Sequence, residues 1–250
     1  MPTLPAGRVT VDRYVIRRRS LALLALSLTA FAADRPLRLP AVPPDAAARY
    51  TFDGAASDAW RNHSDRAPDL APAGAAERVR HDRGHAVHFP PPCPDHTCPR
   101  LVLRAPSSAA LNPGARDLRF GATVRLAPEH ASEGQNVLQK GFSAEGSQYK
   151  LQIDGYAGRP SCVLAGRPDR LIRRAVAEVI VADGRWHHLE CRRTAGTLTV
   201  LVDGTPRGTA PIPAGLSIVN DRPLLIGGKS TGPDNDQFHG EADDVWVAIN

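Results

Sequence analysis

Two adjacent histidines, His187 and His188, follow Trp186 in the run Asp183-Gly-Arg-Trp-His-His-Leu-Glu-Cys191, and imidazole serves both as a metal ligand and as a general base. The segment reads as a strand, however, and adjacent strand residues point to opposite faces, so the pair is poorly placed to chelate one ion. A structural role, with rings packed and hydrogen-bonded locally, is expected instead. Acids are the next candidates. Retaining hydrolysis of a glycosidic bond needs two carboxylates about 5 Å apart, commonly delivered from alternate residues of one strand. No Glu-x-Asp-x-x-Glu run or equivalent occurs; the nearest cluster is Glu241, Asp243 and Asp244. Catalysis is therefore disfavoured, and carboxylates dispersed in sequence but joined in space are the route left to an enzyme.

Four cysteines invite either disulfides or metal. Cys93 and Cys98 enclose Pro-Asp-His-Thr, a loop that a local disulfide would staple, while His85, His88 and His96 nearby offer a zinc alternative. An even count in an exported chain favours two bridges. For stacking on a sugar ring, Trp60 stands alone in a loop after an early strand, although a lid over the sheet edge is the competing role.

The elements that must carry these residues alternate with period two. Phe120, Ala122, Val124 and Leu126 alternate with Gly121, Thr123 and Arg125; Tyr149, Leu151 and Ile153 alternate with Lys150, Gln152 and Asp154. Thr197–Val202 runs into Asp203-Gly204, the signature of a tight primed hairpin turn. Gly227-Gly228 closes a further strand, and a short helical turn is expected near 107–111. No segment carries a long helical stripe, so the predicted class is all-β, a two-sheet antiparallel β-sandwich.

The N-terminus has an export pattern of bacterial type. Arg17, Arg18 and Arg19 precede an apolar run of about thirteen residues ending in Ala30-Phe31-Ala32, shorter than the roughly 20 a spanning helix needs. Residues 1–32 are expected to be a signal peptide, 33–48 a Pro- and Ala-rich linker and 49–250 the domain. Secretion follows, with no stable membrane insertion after cleavage. The leader also holds five arginines against one acid, so the net charge of +5 falls to about +1 without it. A nucleic-acid partner is set aside for want of a positive field.

The stretch 183–191, followed by Gly196-Thr-Leu-Thr-Val-Leu-Val-Asp-Gly204, resembles the laminin G-like jelly roll of the concanavalin A-like lectin and glucanase superfamily. Tyr50-Thr-Phe-Asp53 looks like its opening strand, and Leu111–Leu126 and Leu138-Gln-Lys-Gly141 like the strands that follow. Leu224–Lys229 and Phe238–Val247 look like its closing strands. The resemblance implies that Cys162 and Cys191 bond across the sheet. It also implies a calcium ion: Asp53 and Asp243 would be brought together as ligands, with Asp234-Asn235-Asp236 a second oxygen-rich loop for metal or ligand, unless these acids are merely solvated or cap turns. The function expected is non-catalytic recognition of a glycan or extracellular protein partner through rim loops, with calcium as a candidate cofactor. An exported glycoside hydrolase or polysaccharide lyase, or a purely structural domain, is the alternative.

Overall fold

The computed structural model describes residues 42–94 and 98–250, so the signal peptide, the first residues of the linker and His96 lie outside the described residues. Fifteen strands are formed among the described residues: β1 Ala48–Tyr50, β2 Ala71–Ala73, β3 Glu77–His81, β4 Gly84–His88, β5 Val102–Ala105, β6 Leu118–Arg125, β7 Gly134–Phe142 and β8 Ser147–Asp154, then β9 Arg159–Ala165, β10 Arg173–Val176, β11 Trp186–Thr194, β12 Thr197–Val202, β13 Thr205–Pro211, β14 Leu224–Ile226 and β15 Glu241–Ile249. They pair antiparallel in two sheets. The first runs β13-β12-β11-β6-β15-β4-β3, with β1 also on β15; the second runs β10-β9-β8-β7-β14-β5-β2.

Alternation sets what each sheet buries. On β6 the side chains of Leu118, Phe120, Ala122 and Val124 are fully buried, and on β8 Tyr149, Leu151 and Ile153 join the same core cluster. Phe120 and Tyr149 meet with ring centroids 5.1 Å apart, which places the two layers face to face. Cys162 on β9 and Cys191 on β11 are bonded, so one covalent link crosses from the second sheet to the first. This is the bridge the resemblance implied. The expected β12–β13 hairpin is present, with Asp203 and Gly204 at φ 51° and 75°, the positive values a primed turn requires. The helical turn expected near 107–111 is a single 3₁₀ turn, Ala109–Leu111.

Two boundaries differ from the expectation. Ala46 and Ala47, assigned to the linker, are buried, and Ala47 donates its N–H to Val247 O at 2.7 Å, because small side chains let the chain lie flush against β15. The opening strand stops at Tyr50, since Phe52 takes φ +56° and turns the chain, so Asp53 is not a strand residue. The strands that end each sheet path carry a proline or charge: Pro206 and Pro211 on β13, Glu77 and Arg78 on β3, Arg173 and Arg174 on β10, Pro72 on β2.

Candidate functional site

The outer face of the second sheet is polar, as alternation demands, yet it is not solvated. Opposite core-facing Tyr149, Leu151 and Ile153, β8 presents Gln148, Lys150 and Gln152 outward, flanked in register by Gly141, Gln139 and Asn136 of β7 and by Ala165, Val163 and Ser161 of β9. Asn136 and Gln139 are 1% exposed, Gln148 3% and Gln152 8%, and Ser161 is fully buried. Polar groups sunk to this degree are normally tied into bonds. Asn136 Nδ2 donates to Gln139 Oε1 at 2.8 Å, and Gln139 Nε2 and Gln148 Nε2 both donate to Gly141 O, at 2.9 and 3.2 Å. Asn136 Oδ1 has no partner. A bulge between Asn136 and Leu138 lets β7 keep Leu138 in the core while Asn136 faces out.

Over this floor lies a trough. One cavity of about 360 Å³ is lined by Gln139, Phe142, Gln148, Lys150, Lys229 and Asp236 among others. A second, of about 270 Å³, shares Phe142, Lys229 and Ser230 with it and continues over Arg104 and Leu225. The far wall is the loop after β14, where Lys229 Nζ pairs with Asp236 at 3.1 Å. The near wall is Phe142, with the Arg222 guanidinium 5.7 Å from its ring centre and itself held by Glu145. Lys150 rises half-buried from the floor; burial depresses its pKa, against the pull of Asp236 and Asp154. The trough thus offers amide donors and acceptors, one aromatic wall and cations, a set suited to hydroxyl-rich ligands.

The residues expected to bind are only partly brought together here. Asp236 lines the trough, and with exposed Asp234 and buried Asn235 it also lines a rim cavity of about 440 Å³ beside Cys93, Cys98 and Tyr156. Asn235 is engaged in the fold: its Oδ1 accepts from Arg100 Nη1 at 2.6 Å, and its Nδ2 donates to Gln237 Oε1 at 2.9 Å. Trp60 packs edge-on to Phe52, centroids 6.1 Å apart, against the core, which is the lid role and not an open stacking platform.

Asp53 and Asp243 are not gathered into a calcium site. Both instead grip the β3–β4 hairpin: Asp53 Oδ1 accepts the His85 N–H at 2.8 Å, and Asp243 Oδ2 lies 2.6 Å from His81 Nδ1 while Oδ1 accepts the Asp244 N–H at 2.6 Å. Burial raises the Asp243 carboxyl to about 6. Calcium takes six to eight oxygens, and here Asp53 Oδ1 and both Asp243 oxygens are already engaged by protein groups. Cys93 and Cys98 are joined to each other, which removes them as zinc ligands.

On the first sheet the histidines point apart as expected. His187 lies between Asp203 Oδ2 at 2.9 Å and Asp183 Oδ1 at 3.1 Å, and these carboxylates raise its pKa. His188 is buried, 3.5 Å from Thr123 Oγ1 and stacked on Trp246 at 10° between planes. The sheet's acids are already paired: Glu190 accepts from Arg119 and Arg192 at 2.8 and 2.9 Å, and Glu241 takes two bonds of 2.9 Å from Arg125. Both carboxyls sit below their usual range, their arginines outweighing the upward push of burial.

Sequence reading missed Asn136, Gln139, Gln148 and Lys229. The available signal was the polar half of an alternating strand, already visible in Lys150 and Gln152, whose sinking beneath neighbouring loops a sequence does not display.

A family model of laminin G type, described as the concanavalin A-like lectin/glucanases superfamily, matches residues 114–248. Among solved structures, the chain is similar to domain 4 of AbnA, a GH43 extracellular arabinanase from Geobacillus stearothermophilus, solved in complex with arabinotriose. That match has TM-score 0.60 and 12% identity, covering 82% of this chain and 93% of that one. It is also similar to the binding domain of Paraclostridial Mosquitocidal Protein 1 (0.59, 13%, 81% and 50%) and to the binding domain of botulinum neurotoxin DC in complex with SialylT (0.61, 7%, 82% and 48%). The chain spans about half the length of these toxin domains, and at such identities the likeness concerns the fold alone. The family match covers more than half of the sequence and agrees with the two-sheet architecture; the chain belongs to the laminin G-like members of the concanavalin A-like lectin/glucanase superfamily.

Proposed function

We propose that this chain is a secreted recognition module, without catalysis of its own, that takes a carbohydrate in the trough on the outer face of the second sheet. The observation that carries this is the lining of the trough: Gln139 and Gln148, both more than nine-tenths buried on a face that points away from the core, with Lys150, Lys229 and Asp236 beside them and Phe142 as an aromatic wall. Such groups are costly to sink without partners, and a ligand bearing hydroxyls supplies both donors and acceptors to them. Domains of the same fold are solved with arabinotriose and with SialylT, which supports a sugar as the ligand class. Two disulfides support an oxidising destination, in keeping with the leader pattern. The non-catalytic reading is supported by Glu190 and Glu241, whose arginine partners favour the ionised form, whereas a general acid needs a raised pKa; the carboxyl that is raised, Asp243, is engaged by His81 on the sheet that does not carry the trough.

Affinity electrophoresis against a panel of soluble polysaccharides tests the reading. At least one polysaccharide should retard the protein without release of reducing ends, and Gln148→Leu and Lys150→Met should each weaken retardation by roughly tenfold, the loss of one or two polar contacts. Thermal melting of Lys150→Met should stay near that of the parent, whereas Gln148→Leu also loses its bond to Gly141 O and should melt slightly lower. Failure of every polysaccharide to retard, or retardation untouched in both variants, would sink the trough as the site; sugar release would sink the non-catalytic assignment.

A further inference from the structure

At the end of the sandwich away from the Asp234–Asp236 rim, three loops meet: the turn after β7, the β9–β10 loop and the segment before β14. Of the five large hydrophobic residues exposed among the described residues, three stand here, Leu171 and Ile172 each 58% exposed and Val219 59%. They are held up by a firm base. Arg167 and Ser217 exchange backbone hydrogen bonds of 2.9 and 3.0 Å, the Arg170 N–H bonds to Gly166 O at 2.8 Å, and Asp169 accepts from the Leu171 N–H at 2.9 Å and from Arg173 at 2.6 Å.

The tip is ringed by positive charge. Arg167, Arg170, Arg173 and Arg174 lie within eight residues. Arg173 is paired with Asp169, and Arg174 lies 3.8 Å from Asp154, but Arg167 and Arg170 have no carboxylate partner among the described residues. These two guanidinium groups line a cavity of about 260 Å³ together with Gly146, Ser147, Val219, Asn220 and Glu145, whose carboxylate is taken up by Arg222. The Arg170 stem lies across Gly146, in space that a Cβ there would fill, so the cavity floor depends on that glycine.

A protein partner would be met by a flat patch with aromatic anchors, burying roughly 800 Å² per side. Two aliphatic side chains on a projecting loop, flanked by a third, cannot supply that area against a rigid surface. A fluid interface closes around a small apolar tip, and its phosphates complement arginines that lack internal partners. We propose that this corner docks the protein on an anionic lipid surface, with Leu171, Ile172 and Val219 entering the acyl boundary and headgroup phosphates entering the Arg167–Arg170 cavity. The proposal is independent of the sugar reading, since the trough opens on the face of the sheet and the corner lies at its end.

The test uses the full chain with vesicles of phosphatidylcholine, with and without phosphatidylglycerol. An Ile172→Trp variant places a probe on the tip, and the native Trp60, Trp186 and Trp246 and residues 1–32 are common to every variant compared. The expected result is a blue shift of the emission added by the introduced indole, read as the difference from the parent chain and quenched by brominated acyl chains only when phosphatidylglycerol is present. Adding Arg167→Gln and Arg170→Gln should weaken binding roughly tenfold or more, since each basic residue near an anionic surface contributes measurably. No emission shift, an equal shift on phosphatidylcholine alone, or unchanged binding by the double arginine variant overturns the proposal.

Discussion

Removal of the Cys162–Cys191 bridge is the perturbation whose size follows most directly from the architecture. The two cysteines are 29 residues apart and both side chains are fully buried, one in each sheet. Freed, the unfolded chain regains the entropy of an open loop of that length, about 3.6 kcal/mol at 25 °C in the chain-entropy model. The same arithmetic for Cys93–Cys98, five residues apart, gives about 2.1 kcal/mol. The double variant Cys162→Ala/Cys191→Ala should therefore be the more damaged of the two. In a domain of this size each kcal/mol moves Tm by roughly 2–4 °C, so the expected fall is roughly 7–14 °C, against roughly 4–8 °C for Cys93→Ala/Cys98→Ala. Calorimetry at constant protein concentration, with urea titration to check that m rises once the unfolded chain is free to expand, measures both. If the buried pair cost no more than the surface pair, the sandwich would not be relying on its covalent cross-link and the entropic reasoning would be wrong.

Gly227→Ala should destabilise by about 2–5 kcal/mol, because φ is +86° there and a Cβ would lie 1.8 Å from the buried Phe89 ring; a chemical-denaturation midpoint within error of the parent would contradict this. The His187 ion pairs stabilise while the imidazole is charged: its folded pKa is raised above the unfolded value of about 6.5, so their contribution is complete below about pH 6.5 and is lost as pH rises through the folded value. His187→Gln should accordingly flatten the stability profile on the alkaline side of about pH 6.5, and an unaltered slope there would refute the assignment. Chelation by EDTA should leave Tm unchanged, since the Asp53 and Asp243 carboxylates are occupied by N–H donors and by His81; a rise of several degrees on adding calcium would show that ligands gather in a way the structure lacks.

Where burial alternates residue by residue, the strands were legible in the sequence. The alternations around Phe120 and Leu151 and the Asp203-Gly204 turn led directly to β6, β8 and the β12–β13 hairpin, because the buried face and the turn geometry are written in adjacent residues. Strands β2–β5 were illegible: Glu-Arg-Val-Arg-His of β3 carries one aliphatic residue, and β2 is Ala-Pro-Ala, so their pairing is decided by neighbours distant in sequence. The Cys162–Cys191 bridge was readable once the family resemblance supplied the pairing, and Cys93–Cys98 from the short loop between the two residues. Asp53 and Asp243 differ from the expected ligand pair because the turn at Phe52 swings Asp53 onto the β3–β4 hairpin, a backbone event that no residue pattern announced. The trough escaped for a related reason. Gln139 and Gln148 look like ordinary solvent-facing residues until the loop after β14 folds over them.

The treatment of the sheet edges bears on how the molecule can exist at high local concentration. Each layer ends in a strand that a second copy would otherwise extend: Pro206 and Pro211 lack the N–H needed to continue a ladder, Pro72 does the same at the far side, and Arg173, Arg174, Glu77 and Arg78 place charge where a docking strand would have to lie. Edge-to-edge stacking on these four end strands is thereby disfavoured. On β13 the chain adds a second guard, since the Glu178 N–H already occupies Arg207 O at 2.9 Å.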